Sequence, residues 1–396
     1  IEKKNPDIVC VTGYITHTNN IIEICRKAKK YNSKIITIVG GVNIEKSPET
    51  VDCPEIDYRI VRNALVCFPE LIDYLQNKSS MPKGILRYSE KMHEADLPAF
   101  DFIYTHPNRE LTAKYRTRYF YVFHNKVSLI KTSFGCPFKC NFCFCRKITN
   151  DIYSERSITD VVHELQEIRE KEVYIVDDNF LVSDQRVSQF LNEIEKRNIR
   201  KKYLIYGRAD FISNNKDLLT KFRKLGLRTI IVGLESFNDG ELLSLEKNIK
   251  SDVNEKAMEV LDQCGIDCYA SIIAMPEWGI ENFKAVAEKL IKLKVRFVNI
   301  QPLTPLLHTD MQFDESRLVI ARNEYPKWDL AHVVVRPEKL SIQDYYLEIL
   351  KLYQTILFQP SNLVHHLKYS PFMQAKLALG IYKVRKQYLS KILISE

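Results

Sequence analysis

The sequence lacks any apolar run of the roughly 18 residues that a membrane-crossing helix needs. The chain is therefore expected to be soluble or at most peripheral. Its start shows no basic segment, apolar run and small-residue cleavage site, so a secretory leader is not expected from it. Its opening, "IEKKNPDIVCVTGY", reads instead as the interior of a domain. Short internal repeats are absent, which argues against a solenoid. Strong charge of either sign is absent too: Lys+Arg 58 against Asp+Glu 50 leaves +8, diffuse apart from a mild enrichment in "KVRKQYLSK". A nucleic-acid partner is not expected. A solvated basic face is the default, with an acidic substrate or peripheral contact with an anionic membrane surface as alternatives. Cysteine is plentiful, ten in all, but shows no regular extracellular framework. A cytoplasmic location fits best, and there a tight cysteine cluster signals metal or redox chemistry.

What is present is ordinary globular composition, 45% hydrophobic and 27% charged, in a chain of 396 residues. That length predicts two or three domains. From 1 to 78, "DIVCVTG", "NNIIEICRKAKKY" and "KIITIVGG" read as strand, helix and strand, a βαβ unit and hence part of a parallel, Rossmann-like sheet. Residues 79–126 read as a connector. From 127 to 306 strand cores recur at "VSLIKTSFG", "EVYIVDDNF", "KYLIYGRAD", "RTIIVGLES", "DCYASIIAM" and "FVNIQPLTP", with amphipathic helical patterns between them. Six such α/β repeats predict a TIM-type parallel barrel or an open, barrel-like (β/α)6 sheet. Residues 307–396 form a mostly helical C-terminal region, clearest in "SIQDYYLEILKLYQTILF".

In parallel β/α folds, functional groups gather at the C-terminal ends of the strands. The unusual residues here fall there: a cysteine cluster after strand one, Asp177-Asp178-Asn179 after two, Arg208 and Asp210 after three, Glu235 after four, Pro276-Glu277 after five and Gln301 at six. The cluster, "SFGCPFKCNFCFC" at 133–145, places four cysteines among four phenylalanines. Cys136-x3-Cys140-x2-Cys143 can wrap three thiolates around one face of a cubic iron-sulfur cluster, leaving one iron open, whereas electron-transfer clusters take four cysteines. Cys145 follows Cys143 by two residues, and an extended segment would point it the other way. A structural zinc site needs a second ligand pair, and none stands at a convincing spacing.

With Phe142 before its last cysteine, this CxxxCxxC motif resembles that of the radical SAM superfamily, and the six β/α units resemble its partial barrel. The resemblance implies a 4Fe-4S cluster whose open iron chelates S-adenosyl-L-methionine, and reductive cleavage of that cofactor to a 5'-deoxyadenosyl radical. Residue by residue, it implies Cys136, Cys140 and Cys143 as metal ligands and Phe142 near the adenine. Asp177 and Asp178 would lie near the methionine amino end, Arg208 at its carboxylate and Glu235 at the ribose hydroxyls, with Gln301 a further cofactor-side candidate. "IIAMPE" departs from the family's glycine-containing strand five by carrying Ala274.

The N-terminal unit resembles the later half of the cobalamin-binding domain of one radical SAM subclass. Thr12, Gly40 and Gly41 occupy the places that make room for the corrinoid's nucleotide tail, since glycine lets a ligand approach backbone closely. The acidic, glycine-rich turn typical of that domain is replaced by "RNALVC", and His17 reads as a loop residue near a helix start. What this resemblance implies is an enzyme that transfers a methyl group to a poorly activated carbon, with cobalamin between barrel and N-terminal domain. A reductant such as flavodoxin or ferredoxin and a small-molecule or lipid-like substrate would be its partners. A radical cyclase, oxidoreductase or rearrangement enzyme without methyl transfer is the enzymatic alternative. An iron-sulfur electron carrier or metal-stabilised binding module is the non-enzymatic one.

Overall fold

The computed structural model describes residues 1–94, 97–102, 104–121 and 124–394. They divide into two compact units: 1–105 with 148–150 and 320–332, and 106–147 with 151–319 and 333–396.

The first unit is built on a four-stranded sheet, β1 (Ile8–Thr12), β2 (Ile36–Gly40), β3 (Tyr58–Ile60) and β4 (Ile85–Arg87), in that spatial order. The first three run parallel and β4 closes the edge antiparallel. Helices α1 (Thr18–Tyr31), α2 (Val42–Lys46) and α3 (Ala64–Leu75) connect them. Helix α1 buries Ile21, Cys25 and Ala28, at the three- and four-residue spacing of one helix face. Ile21 and Cys25 join Val39, Ile44 and Val61 in one core cluster, while Ile38, Ile60 and Leu71 form another. The unit continues to Thr105, past residue 78, and is completed by the distant segment 320–332. The connector read at 79–126 is thereby divided between the two units.

The second unit carries six parallel strands, β5 (Ser128–Ile130), β6 (Glu172–Ile175), β7 (Lys202–Gly207), β8 (Leu227–Glu235), β9 (Asp267–Ala274) and β10 (Phe297–Pro302). Each pairs with its sequence neighbour, giving the order β10-β9-β8-β7-β6-β5 of an open barrel. The short α4 (Cys145–Ile148) follows the cysteine loop. Helices α5 (Ile158–Glu167), α6 (Asp184–Lys196), α7 (Ala209–Asn214), α8 (Lys216–Leu225), α9 (Asp239–Ser244), α10 (Ser251–Cys264) and α11 (Ile280–Lys292) connect the strands. Local chemistry fixes their ends: the Ser157 and Ser183 side chains cap the backbone amides of Asp160 and Arg186. Helix α8 stops at Gly226, whose φ of +124° and approach to the Lys201 carbonyl, 1.9 Å from where a Cβ would lie, admit no other residue.

Alternation along the strands explains why both faces are apolar. Val173, Ile175, Tyr203, Ile205, Ile230 and Val232 lie in the core shared with the helices. The opposite positions Tyr174, Leu204, Ile231 and Tyr269 form a separate cluster with Tyr121 and Tyr206. Three helices end the chain, α12 (Ile342–Leu357), α13 (Pro360–His366) and α14 (Pro371–Ile394). The C-terminal region is thus helical from Ile342 onward, whereas 307–341 is mainly loop. Among the described residues no helix is long and apolar enough to cross a membrane.

Candidate cofactor site

Strand β5 hands the chain to a loop in which Gly135, at φ +70°, turns into the cysteine segment. The Cys143 amide donates to the Cys140 carbonyl at 3.2 Å, folding the second and third cysteines back on each other. Asn141 fastens this turn to the barrel: its side-chain amide donates to the Ser244 carbonyl at 2.8 Å and its backbone N–H to that of Leu245 at 3.3 Å. All ten cysteines are free thiols. Burial pushes the Cys136 thiol up to about 11, and negative charge on Cys143 and Cys140 adds to that rise, so the three sulfurs share one electrostatic neighbourhood. Arg208 Nη1 lies 3.5 Å from Cys140 Sγ. Three thiols on one loop, one of them beside a fixed guanidinium, fit a metal cluster whose cationic irons would stabilise all three as thiolates.

Cys145 departs from the extended geometry expected of it. It opens α4, and its side chain hydrogen-bonds those of Cys143 and Asp178. The helical turn folds it back beside its neighbour. The hydrogen bond with Cys143, then burial and Asp178, raise its thiol, and the same contact pulls Cys143 down.

The strand-end residues sort into two groups. Arg208, 7% exposed, is fixed by Asp210, with Nη2 3.1 Å from Oδ2, and by the Lys247 carbonyl at 2.9 Å, while its guanidinium lies 3.9 Å from the Phe138 ring centre. Glu235 sits at φ +61° and is held by Lys247, Nζ to Oε1 2.9 Å, with both side chains under a tenth exposed. Lys247 Nζ also stands 5.9 Å from the ring centre of Phe142, which packs on the main core. Cysteine loop, Arg208, Lys247 and Glu235 thus form one connected constellation at the C-terminal ends of β5, β7 and β8. Lys247 is the member that sequence reasoning missed.

Asp177 is used differently. It is 1% exposed and accepts from the Thr132 backbone N–H at 2.5 Å, the Thr132 hydroxyl and the Ser133 hydroxyl at 2.8 Å. Both oxygens are consumed in tying the end of β6 to the chain leaving β5, and burial raises its pKa despite those bonds. Asp178 is the one turned toward the cysteines, with Lys131 3.7 Å from its carboxylate. Gln301 is half-buried on β10, opposite Ile273. Ala274 is fully buried and its carbonyl accepts from Leu303. Lys131 Nζ stands 5.3 Å from the Phe134 ring centre, and Phe144 is half-buried.

In the first unit, Thr12 pairs with Gly40 at the C-terminal ends of β1 and β2. Gly41 follows at φ +103°, and a Cβ there would lie 2.3 Å from Thr12 Oγ1. This cradle of small groups and one hydroxyl fits a ligand that must approach backbone closely. Behind it in α2, burial pushes Glu45 up to about 7, against the lowering effect of Lys46 and Arg62. His17 is local architecture, accepting the Tyr14 amide at Nδ1 over 3.1 Å.

Residues 130–290 match the family model of the radical SAM superfamily and residues 1–72 that of the B12 binding domain. The hopanoid C-3 methylase of Methylococcus capsulatus is 27% identical over 359 residues, 89% of this chain and 68% of that protein. Among solved structures, the cobalamin-dependent S-adenosylmethionine radical enzyme OxsB, with aqua-cobalamin and S-adenosylmethionine bound, superposes with a TM-score of 0.66 at 15% identity, over 98% of this chain and 64% of that one. The radical S-adenosylmethionine methyltransferase TsrM from Kitasatospora setae, with cobalamin and a [4Fe-4S] cluster bound, does so at 0.63 and 16%, over 92% and 80%. The chain spans about two thirds of the length of the hopanoid methylase and of OxsB. The chain thus carries a radical SAM domain at 130–290 and a B12-binding domain at 1–72. These two domains imply an enzyme whose cofactors are a 4Fe-4S cluster, S-adenosyl-L-methionine and cobalamin, and the hopanoid relative is a methylase.

Proposed function

We propose that this enzyme places a methyl group on an unactivated carbon of an apolar, polycyclic, lipid-like small molecule. One observation carries the reading: a three-thiol loop braced by Arg208 and the Glu235–Lys247 pair occurs in the same chain as the Thr12–Gly41 cradle. The hopanoid methylase supports an apolar polycyclic substrate class. When bound, the cofactors supply one-electron chemistry and a transferable methyl group.

The chain's own residues hold and orient. Cys136, Cys140 and Cys143 ligate iron through sulfur, and Cys145 stands beside them without ligating it. Arg208, pinned by Asp210, presents a fixed cation toward a carboxylate. Glu235, fixed by Lys247, accepts hydrogen bonds from vicinal hydroxyls. Asp178 faces an ammonium, while Asp177 holds the two strand ends in place. Phe138 and Phe142 keep water away from the sulfurs. Thr12, Gly40 and Gly41 admit the corrinoid tail. A flavodoxin- or ferredoxin-type protein is the electron donor, and the ten free thiols fit a cytoplasmic setting.

The test is anaerobic purification with cobalamin supplied, then iron, sulfide and cobalt analysis and turnover of methyl-labelled S-adenosylmethionine with a hopanoid acceptor. Label in the acceptor and release of 5'-deoxyadenosine are expected. Cobalt absent at full iron occupancy removes cobalamin from the reading, and cofactor cleavage without label in any product replaces methyl transfer by a cyclase-type reaction. Cys145→Ala keeps full iron; loss of iron in that variant makes Cys145 a ligand.

A further inference from the structure

The second unit contains a cavity of about 540 Å³ that the cofactor site does not use, within the size range of small-molecule sites. Its walls come from the starting ends of β9 and β10, from α12, from α14 and from the short strand Phe120–Tyr121. Tyr269 lies five residues before Ala274, the last residue of β9. At about 3.3 Å per residue, the cavity is about 16 Å down the strand from the end where the cofactor residues gather. It is therefore a separate place in the fold.

Its chemistry is specific. The lining is dominated by apolar and aromatic groups, among them Tyr121, Tyr269, Phe297, Leu357, Ile381 and Tyr382. Lining residues on α14 run from Lys376 to Arg385, which is about 13 Å of helix, so an elongated ligand suits it. The charged lining residues are cations. Lys376 Nζ stands 4.5 Å from the Phe120 ring centre and 3.3 Å from Asn125 Oδ1, with no carboxylate paired to it among the described residues. Arg385 likewise has no ion-pair partner among them. No Asp or Glu occurs anywhere between Glu348 and Glu396, a stretch holding seven Lys and Arg residues. Beside this positive field, α14 exposes Leu379, Tyr382 and Leu393.

We propose that this cavity is a second ligand site, taking a long-chain amphipath whose alkyl part fills the aromatic interior and whose anionic head pairs with Lys376 and Arg385. Carboxylate and phosphate heads share the chemistry that these cations recognise. The assignment is independent of the reaction at the cofactor site.

The experiment is a fluorescence titration of the full chain with cis-parinaric acid and with its methyl ester. Saturable binding of the acid at one site per chain is expected. Gly380→Trp obstructs the cavity from a lining position where an added Cβ meets nothing within 4 Å, and it weakens binding of both probes at least about tenfold. Lys376→Glu and Arg385→Glu weaken the acid but not the ester, with far-UV circular dichroism confirming an unchanged fold. Absence of saturable binding, or binding indifferent to all three substitutions, overturns the proposal. Competition by phosphatidylglycerol vesicles, with none by phosphatidylcholine vesicles, identifies a membrane phospholipid as the source of the ligand. Competition by neither identifies a free acyl anion.

Discussion

Gly41→Ala is the sharpest test of the first unit. Two costs add at this position. The backbone, at φ +103° and ψ 179°, occupies a region open essentially to glycine alone, worth about 1–3 kcal/mol. The new methyl would also lie 2.3 Å from Thr12 Oγ1, an overlap of the kind that costs about 1–3 kcal/mol more. Together, about 2–6 kcal/mol is set against a domain stability of about 5–15 kcal/mol. The overlap is specific to the hydroxyl, because Thr12 Cβ would be 3.5 Å away, an ordinary contact. In a Thr12→Ala background the second cost should vanish and only the backbone cost remain. Because a two-unit protein need not unfold in one step, the appropriate assay is amide hydrogen exchange read on β1 and β2, alongside hydroxocobalamin titration. Faster exchange in both strands and weakened cobalamin binding are expected, with partial recovery of exchange protection in the Thr12→Ala background. Equal destabilisation in both backgrounds would refute the steric argument, and unchanged exchange would refute both terms.

Two further perturbations address the second unit. Lys247→Met strands the buried Glu235 carboxylate and should destabilise by about 3–5 kcal/mol, while adding Glu235→Gln should recover most of the loss; a single variant as stable as the double in thermal melts removes the pair from the stability account. His106 is pulled down by burial but more strongly raised by its hydrogen bonds to Asp160 and Glu167, so its folded pKa lies above the ordinary imidazole value. Its contribution is therefore complete below about pH 6.5 and disappears as pH rises through the raised folded value. The Tm gap between wild type and His106→Gln should shrink from about pH 6 to about pH 9, and a gap that widens contradicts the assigned sign.

Why the barrel could be read from sequence is clear in its strands. Each is a short run of Val, Ile, Leu and Tyr followed by a chemistry-bearing residue, and each helix repeats its apolar groups at three- and four-residue spacing. Local pattern is enough because every strand pairs with its sequence neighbour. The strand-end positions of Cys136, Cys140, Cys143 and Glu235 were legible for the same reason, while their roles were read only from the resemblance. What was not legible depends on three-dimensional contact. Nothing in "SLEKNIK" marks Lys247 as the partner of a carboxylate twelve residues earlier. The division of labour between Asp177 and Asp178 follows from which one Thr132 and Ser133 reach. The turn that brings Cys145 back beside Cys143 begins a helix of only four residues, too short for a periodic signal. The membership of 320–332 in the first unit is a long-range packing event, seen where Ile15–His17 meets Tyr325–Lys327.

That last feature bears on how the molecule is made. The barrel's strand order lets each new β/α segment find its partner in the segment just completed, so its sheet can grow as the chain emerges during synthesis. The first unit cannot finish in the same way. Its opening strands leave the ribosome before any of the barrel, yet the segment that completes it is synthesised after β10. The unit begun before the barrel is thus closed only after all six barrel strands exist.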